Sequence, residues 1–324
     1  MKAKLGIIGY RNHAGRLISI CEKFDTCQVV SIYHPTKSYD DKRFTNVISD
    51  LLSCDAVIIA SPNNTHFYYI NELLQGYKGY IFCEKPPVTS IAEVETLANL
   101  PSKIKEKIFF NFNYRFGKLH DLISNSISCT QIGKIVSVNF VLTHGFAFKE
   151  EYLNSWRSDG TKNLHNILDT LSIHHLDLCN FIFGKPHHNC YFPTQMSQKG
   201  TAFDTCNLLI EYGDGKTVSI LNSYATPYIN EVRILGTNGI IDIRNNHITV
   251  NSPRDTFDKK GFFTSPPSIS DLQFQMNDEY EHSLINSFSY FLSHVTQKTP
   301  INLLQFQTSL ETNLQILKLH NKLQ

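Results

Sequence analysis

Lys4-Leu5-Gly6-Ile7-Ile8-Gly9-Tyr10-Arg11-Asn12-His13-Ala14-Gly15 is the stretch whose reading decides the fold. A short apolar run ends in glycine, as a buried parallel strand does, and Leu17, Ile18 and Cys21 follow at helical spacing. The same alternation continues down the chain. Gln28–Tyr33, Asp55–Ala60, Gly79–Cys83 and Lys107–Asn111 read as further strands, and His66–Leu74 as a helix. Ser90 and Glu93 form a capping box at the start of another helix. Strands separated by helices at this pitch predict right-handed crossovers and a doubly wound parallel sheet. Such sheets hold ligands at the carboxyl ends of their strands.

The turn after the first strand sits where a G-x-G-x-x-G dinucleotide turn belongs. Gly9 supplies the first glycine, Arg11 replaces the second and Ala14 the third, with Tyr10, Asn12 and His13 between them. A free helix N-terminus still favours an anion, and Arg11 adds a cation there. A tight βα turn without a ligand fits the same residues. NAD-preferring sheets usually carry an acidic residue after the second strand; this chain has Tyr33-His34-Pro35-Thr36-Lys37. The missing carboxylate leaves room for a 2′-phosphate on His34, Thr36 and Lys37, so the balance tilts from NAD towards NADP.

Beyond about residue 120 the pattern changes. Lys134–Thr143, Thr205–Tyr212, Thr217–Tyr224, Glu231–Leu235 and Gly239–Ile243 are joined by short turns such as Gly213-Asp214-Gly215 and Thr237-Asn238-Gly239. They predict a large, mainly antiparallel open sheet, interrupted by a helical insertion at Leu164–Phe183. Two amphipathic helices close the chain, through Tyr280–Val295 and Phe306–Leu317. Asp255–Pro267 reads as a flexible loop, and His187-His188 as solvated loop residues rather than metal ligands. The expected class is therefore α/β: a Rossmann domain over 1–118 and an α+β domain over 119–324 for substrate binding and oligomerisation.

Composition sets limits. The 324 residues carry 30 Lys+Arg against 29 Asp+Glu, a net charge of +1, which lacks the footprint of a nucleic-acid binder. No apolar run reaches the roughly 18 residues a membrane helix needs, and Arg11 ends the first apolar run too early for a signal peptide. Eight scattered cysteines without C-x-x-C spacing suit a reduced, cytoplasmic protein.

Three more motifs follow strands of the first sheet: Ser61-Pro62-Asn63-Asn64-Thr65-His66, Cys83-Glu84-Lys85-Pro86-Pro87 and Asn113-Tyr114-Arg115-Phe116. With Trp156-Arg157, His174-His175-Leu176-Asp177 and Glu231–Gly239, they make the whole chain resemble the Gfo/Idh/MocA family, that of glucose–fructose oxidoreductase and inositol dehydrogenase. The resemblance implies an NAD(P)-dependent oxidoreductase acting on a sugar, polyol or nucleotide-sugar. It places Ser61, Pro62, Asn63, Asn64, His66, Glu84 and Lys85 with the cofactor, beside the turn at Gly9. Lys85 would contact the reacting hydroxyl, and His174 would serve as acid/base on the opposite side. Asp177, Thr170, Asp169, Arg115, Trp156 and Arg157 would form the substrate shell, with His175 facing elsewhere.

One departure stands out. The family commonly carries an Asp four residues before this His, and Thr170 occupies that position. Asp169 is adjacent, but on an unbroken helix it points about 100° away. Redox-assisted elimination or glycoside cleavage with a tightly held cofactor, and a non-catalytic cofactor sensor, are the alternative expectations. An open antiparallel sheet leaves one face to cover, which predicts a homodimer or homotetramer.

Overall fold

A computed structural model describes residues 2–127, 129–163 and 166–322, with only the backbone described at Asn12 and Asn277. The chain divides into two units, one of Met1–Asn113 with Leu284–Leu317, the other of Tyr114–Ser283 with Lys318–Gln324.

The first unit is built on a parallel sheet of β1 (Ala3–Ile8), β2 (Cys27–Tyr33), β3 (Phe44–Thr45), β4 (Ala56–Ile59), β5 (Tyr80–Cys83) and β6 (Ile108–Phe110). Its strand order is β3-β2-β1-β4-β5-β6, the Rossmann arrangement, with the order reversing between β1 and β4. Strands β4, β5 and β6 are buried throughout, which explains their unbroken apolar runs. Helices α1 (Asn12–Cys21), α2 (His66–Leu74), α3 (Ile91–Ala98) and the short α4 (Ser102–Lys105) connect them. The expected capping box opens α3: the Ser90 side chain accepts from the Glu93 amide, and the Glu93 carboxylate accepts from the Ser90 amide.

The second unit carries α5 (Lys118–Ser126), α6 (Ile173–Phe183) and an eight-stranded sheet. Its strands are β7 (Ile135–Thr143), β8 (His188–Thr194), β9 (Thr205–Glu211), β10 (Thr217–Ser223), β11 (Ile229–Gly236), β12 (Ile240–Arg244), β13 (His247–Asn251) and β14 (Ser268–Gln273). The order is β14-β13-β12-β11-β7-β10-β9-β8. All neighbours run antiparallel except β7 and β10, which are parallel, so the sheet is mixed. Alternate residues divide its faces. Val138, Phe140, Leu208, Val218, Ile220, Ile234 and Ile243 are buried, whereas Leu209, Arg233 and Arg244 are exposed.

Several expectations change. His187-His188 is not a free loop: the His187 amide donates to the Glu211 carbonyl, and His188 starts edge strand β8. Pro193 is tolerated there because an edge strand has a side without ladder partners. The loop 255–267 holds a bridge between Phe257 and Phe263, whose rings lie 4.9 Å apart. The closing helices, α7 (Met276–Gln297) and α8 (Leu303–Asn321), were expected in the second domain. Instead Leu284–Leu317 belongs to the first unit, where Phe288 packs on Phe24 and Phe82, and Phe306 on Phe110. The division therefore falls after Asn113 and within α7 rather than once near residue 118. Leu164 and His165, where the insertion was expected to begin, lie outside the described residues. Among those described, no helix is long and apolar enough to cross a membrane.

Candidate functional site

In the first unit the carboxyl ends of β1, β2, β4, β5 and β6 bring the predicted cofactor residues to one edge. Gly9 leaves β1 at φ +105°, and a Cβ there would stand 2.7 Å from the Ala60 carbonyl oxygen, so only glycine fits. Helix α1 starts directly after Arg11, with no side-chain cap and no acidic residue in its first turn. That leaves its amides open to an anion. Tyr10 leans on Tyr39 and Phe44, at ring separations of 4.8 and 4.6 Å.

After β2, the Thr36 and Lys37 amides donate to Nδ1 of His34, at 3.2 and 3.0 Å. The imidazole thus carries its proton on Nε2 and holds the turn. Burial lowers its pKa, and the Lys37 and Arg11 charges lower it further. Both cations therefore act where a ribose-binding carboxylate would otherwise stand.

Glu84, following β5, is buried. Its Oε1 lies 2.8 Å from His13 Nε2 and accepts from Asn111 Nδ2 at 2.7 Å. Ser287 in turn donates to Asn111 Oδ1 at 2.6 Å. Burial pushes the Glu84 carboxyl up, but His13 and then Asn111 more than offset it, so its pKa falls below the ordinary value. This network anchors the backbone on which Lys85 stands. Lys85 is half-buried, and its charge reaches both Glu84 and His66.

Three residues expected to touch the cofactor face inward instead. Ala14 is fully buried on the inner face of α1 and contributes packing. His66 is fully buried, with Nδ1 2.8 Å from the Pro86 carbonyl and Nε2 3.0 Å from the Ser61 carbonyl. Its ring spans the turns after β4 and β5 and braces them. Glu84 is the third, acting through its network. Ser61, Asn63 and the exposed Pro62 and Asn64 remain at the edge, where the Thr65 hydroxyl pairs with Ser61 Oγ at 2.7 Å. Cys83 is buried and its thiol is pushed well up by burial, which removes it as a nucleophile.

In the second unit, Arg115 and Asp177 also differ from expectation. Arg115 Nε donates to Asp177 Oδ2 at 2.7 Å and Nη2 to Oδ1 at 2.5 Å, with both side chains 1% exposed. A bidentate pair this desolvated ties α6 to the Asn113-Tyr114-Arg115-Phe116 turn rather than meeting a substrate. His174 projects half-exposed from the same helix, its ring 5.0 Å from Tyr114. His175 is buried and stacked 4.6 Å from Phe140, and burial lowers its pKa to about 4. It is a neutral core residue, as its facing away implied.

The helix ahead of His174 is broken. Leu168–Ser172 winds as a π turn, a distortion often found at functional sites. Thr170 emerges from it to accept from the Tyr224 hydroxyl at 2.7 Å, and its own hydroxyl faces the Asn166 and Ile167 carbonyls. Asp169 is buried elsewhere, with its charge acting on Tyr191. Thr170, not Asp169, therefore stands on the side of Tyr224. The Arg157 charge acts on the Tyr224 hydroxyl, and its guanidinium stacks 4.6 Å from the Trp156 ring. His144 stacks on Tyr224 at 4.9 Å. His144 and Tyr224 were not singled out from the sequence, because only the β7–β10 register reveals that Thr143 and Ser223 end side by side.

Known proteins share the fold of the two units. Residues 3–112 match the model of the oxidoreductase family with an NAD-binding Rossmann fold, and 122–242 match the GFO/IDH/MocA C-terminal domain. Glucose-6-phosphate 3-dehydrogenase of Bacillus subtilis is 24% identical over 189 residues, 56% of this chain and 53% of that protein. Myo-inositol 2-dehydrogenase of Thermotoga maritima is 23% identical over 185 residues, 56% and 53% of the two. The chain thus spans about half the length of these curated relatives. A crystal structure described as a putative NADPH-dependent oxidoreductase from Desulfitobacterium hafniense shares the fold. Its TM-score is 0.77 at 18% identity, covering 99% of this chain and 95% of that one. The two family matches, each falling on the unit whose fold it describes, show that this chain belongs to the GFO/IDH/MocA family of NAD(P)-dependent oxidoreductases.

Proposed function

We propose that this protein transfers a hydride between NAD(P) and a hydroxyl-bearing or keto carbon of a sugar, polyol or nucleotide-sugar, with Lys85 and His174 as its catalytic residues. The observation that carries this reading is Lys85, set at the carboxyl end of a central Rossmann strand on a backbone anchored by the buried Glu84–His13–Asn111 network. The named substrates of the two dehydrogenase relatives, a sugar phosphate and a cyclitol, support the substrate class.

The cofactor residues fit a dinucleotide. Gly9 admits close approach, the uncapped α1 N-terminus offers amides to the pyrophosphate, and Arg11 adds a charge. Arg11, His34, Thr36 and Lys37 favour the 2′-phosphate of NADP over a bare ribose. When bound, the nicotinamide supplies the hydride acceptor or donor.

Lys85 hydrogen-bonds the reacting oxygen and stabilises the negative charge that develops on it. His174 takes up or returns the hydroxyl proton, a task suited to an imidazole near neutral pH. Trp156, Arg157 and Thr170 shape the substrate side of the second unit. The uncovered face of the eight-stranded sheet, with Leu209 exposed among polar and charged neighbours, is assigned to a homodimer or homotetramer contact. A monomer in sedimentation at working concentration contradicts that assignment.

Fluorescence titration with NADPH and a steady-state assay over a sugar panel test the central reading. Lys85→Met keeps NADPH affinity and loses at least about 100-fold in turnover, the scale of acid–base and electrostatic catalysis. Full turnover in the variant, or no NADPH binding by the wild type, overturns the assignment.

A further inference from the structure

The second unit contains five arginines, and four of them face carboxylates: Arg115 with Asp177, Arg233 with Asp242, Arg244 with Glu231 and Arg254 with Asp255. Arg157 differs. Its guanidinium lies over the Trp156 ring, its charge acts on the Tyr224 hydroxyl, and among the described residues no carboxylate pairs with it. Asp159, the acid nearest in sequence, is taken by Lys162 at 2.8 Å. The Tyr224 hydroxyl donates to Thr170, whose own hydroxyl faces the Asn166 and Ile167 carbonyls.

The position is fixed rather than incidental. Trp156 supports the guanidinium at 4.6 Å, and Ser155 Oγ accepts from the Arg157 amide at 3.2 Å. His144 stacks on Tyr224, and the charges it feels are those of Arg157 and Lys149. Two cations and an imidazole thus gather where β7 and β10 end. Arg157 is half-buried, so it is neither quenched by solvent nor closed to a ligand. A guanidinium in a fixed plane suits a phosphate or carboxylate, which accept its N–H groups in pairs.

We propose that Arg157 holds an anionic group of the substrate, so that the substrate is a phosphorylated or acidic sugar rather than a neutral one. Trp156 is a positioning residue that supports the guanidinium, and Lys149 adds to the local positive field. The proposal rests on the sugar-oxidoreductase reading for its premise that the second unit receives the substrate.

Calorimetric titration of the full chain with glucose 6-phosphate, glucuronate and glucose, saturated with NADPH, which accepts no hydride from a hydroxyl-bearing carbon, tests it. At least one anionic sugar binds about tenfold or more tighter than glucose, the scale of a charge-assisted contact. The tighter of the two anionic sugars identifies phosphate or carboxylate as the group read. Arg157→Gln brings the anionic sugars to within about twofold of glucose, Arg157→Lys restores part of the preference, and Thr170→Asp weakens it by placing a carboxylate beside Tyr224. Equal binding of all three sugars, no binding of either anionic sugar, or an anionic preference that survives Arg157→Gln overturns the proposal. Anionic preference with no turnover on any sugar counts against the oxidoreductase reading and leaves the anion site standing.

Discussion

Asp177→Asn is the substitution that most sharply separates a structural from a substrate role for the Arg115–Asp177 pair. Asparagine keeps the shape but removes the charge facing a guanidinium whose side chain is 1% exposed and already packed 4.7 Å from the Phe181 ring. It also turns an NH2 towards one of the two Arg115 donors at 2.5–2.7 Å. Breaking a buried pair on one side costs about 3–5 kcal/mol, because the surviving charge stays desolvated. At roughly 2–4 °C per kcal/mol for a unit of this size, the second unit should melt about 6–20 °C lower. The double variant Arg115→Met/Asp177→Leu, which removes both charges and keeps apolar volume, should recover most of that loss. Circular dichroism melts of the wild type, Arg115→Met, Asp177→Leu and the double variant close the cycle, with Asp177→Asn measured beside them. A shift worth less than about 1 kcal/mol for Asp177→Asn, the value of an exposed pair, refutes the burial argument. So does a double variant no better than the singles. A raised KM with an unchanged melting temperature would return both residues to the substrate shell.

Three further outcomes follow from the same geometry. Gly9→Ala forces a side chain into positive φ and onto the Ala60 carbonyl, so calorimetry should show a loss of about 1–3 kcal/mol, with weaker NADPH binding. His175 has a folded pKa lowered from 6.5 to about 4 by burial, so between those values the unfolded chain binds the extra proton. Stability should fall by up to about 3 kcal/mol as pH drops through that window, and denaturant titrations of His175→Phe should show this limb flattened. Glu84 has a folded pKa below its ordinary value, so its contribution is present above that value and fades as pH falls through the folded one. Glu84→Gln should remove that acid-side loss, and should lower kcat more than NADPH affinity because the backbone under Lys85 loosens.

Much of the first unit was legible because local chemistry agreed with the final arrangement. The helix His66–Leu74 and the Ser90–Glu93 cap appear as read, since each depends on residues close in sequence. Strand β3 was missed because two residues, Phe44 and Thr45, carry no periodicity. Strands β8 and β14 were missed for a different reason. Both are edge strands in which no residue is fully buried, so neither carries the apolar alternation that burial imposes on central strands. The amphipathic faces of α7 and α8 were plain, but an apolar stripe does not say which core receives it.

Within the candidate site, Lys85, His174 and the turn at Gly9 were assigned from motif and strand position. Ala14, His66, Glu84, Arg115 and Asp177 were expected to meet cofactor or substrate, and instead they are buried in internal contacts. Sequence does not show which way such side chains point. The Arg115–Asp177 contact spans 62 positions, and the Tyr224–Thr170 contact 54, so neither is visible before the sheet is assembled. The π turn had no signal beyond the missing Asp at position 170.

Transfer of deuterium from a nicotinamide deuterated at its reactive carbon, read by mass spectrometry of the sugar product, tests the central claim most directly. The wild type should place one deuterium on the reacting sugar carbon for each cofactor oxidised, and Lys85→Met should place almost none while still binding the cofactor. Product formed without label and without net cofactor oxidation, or equal labelling by Lys85→Met, would contradict it.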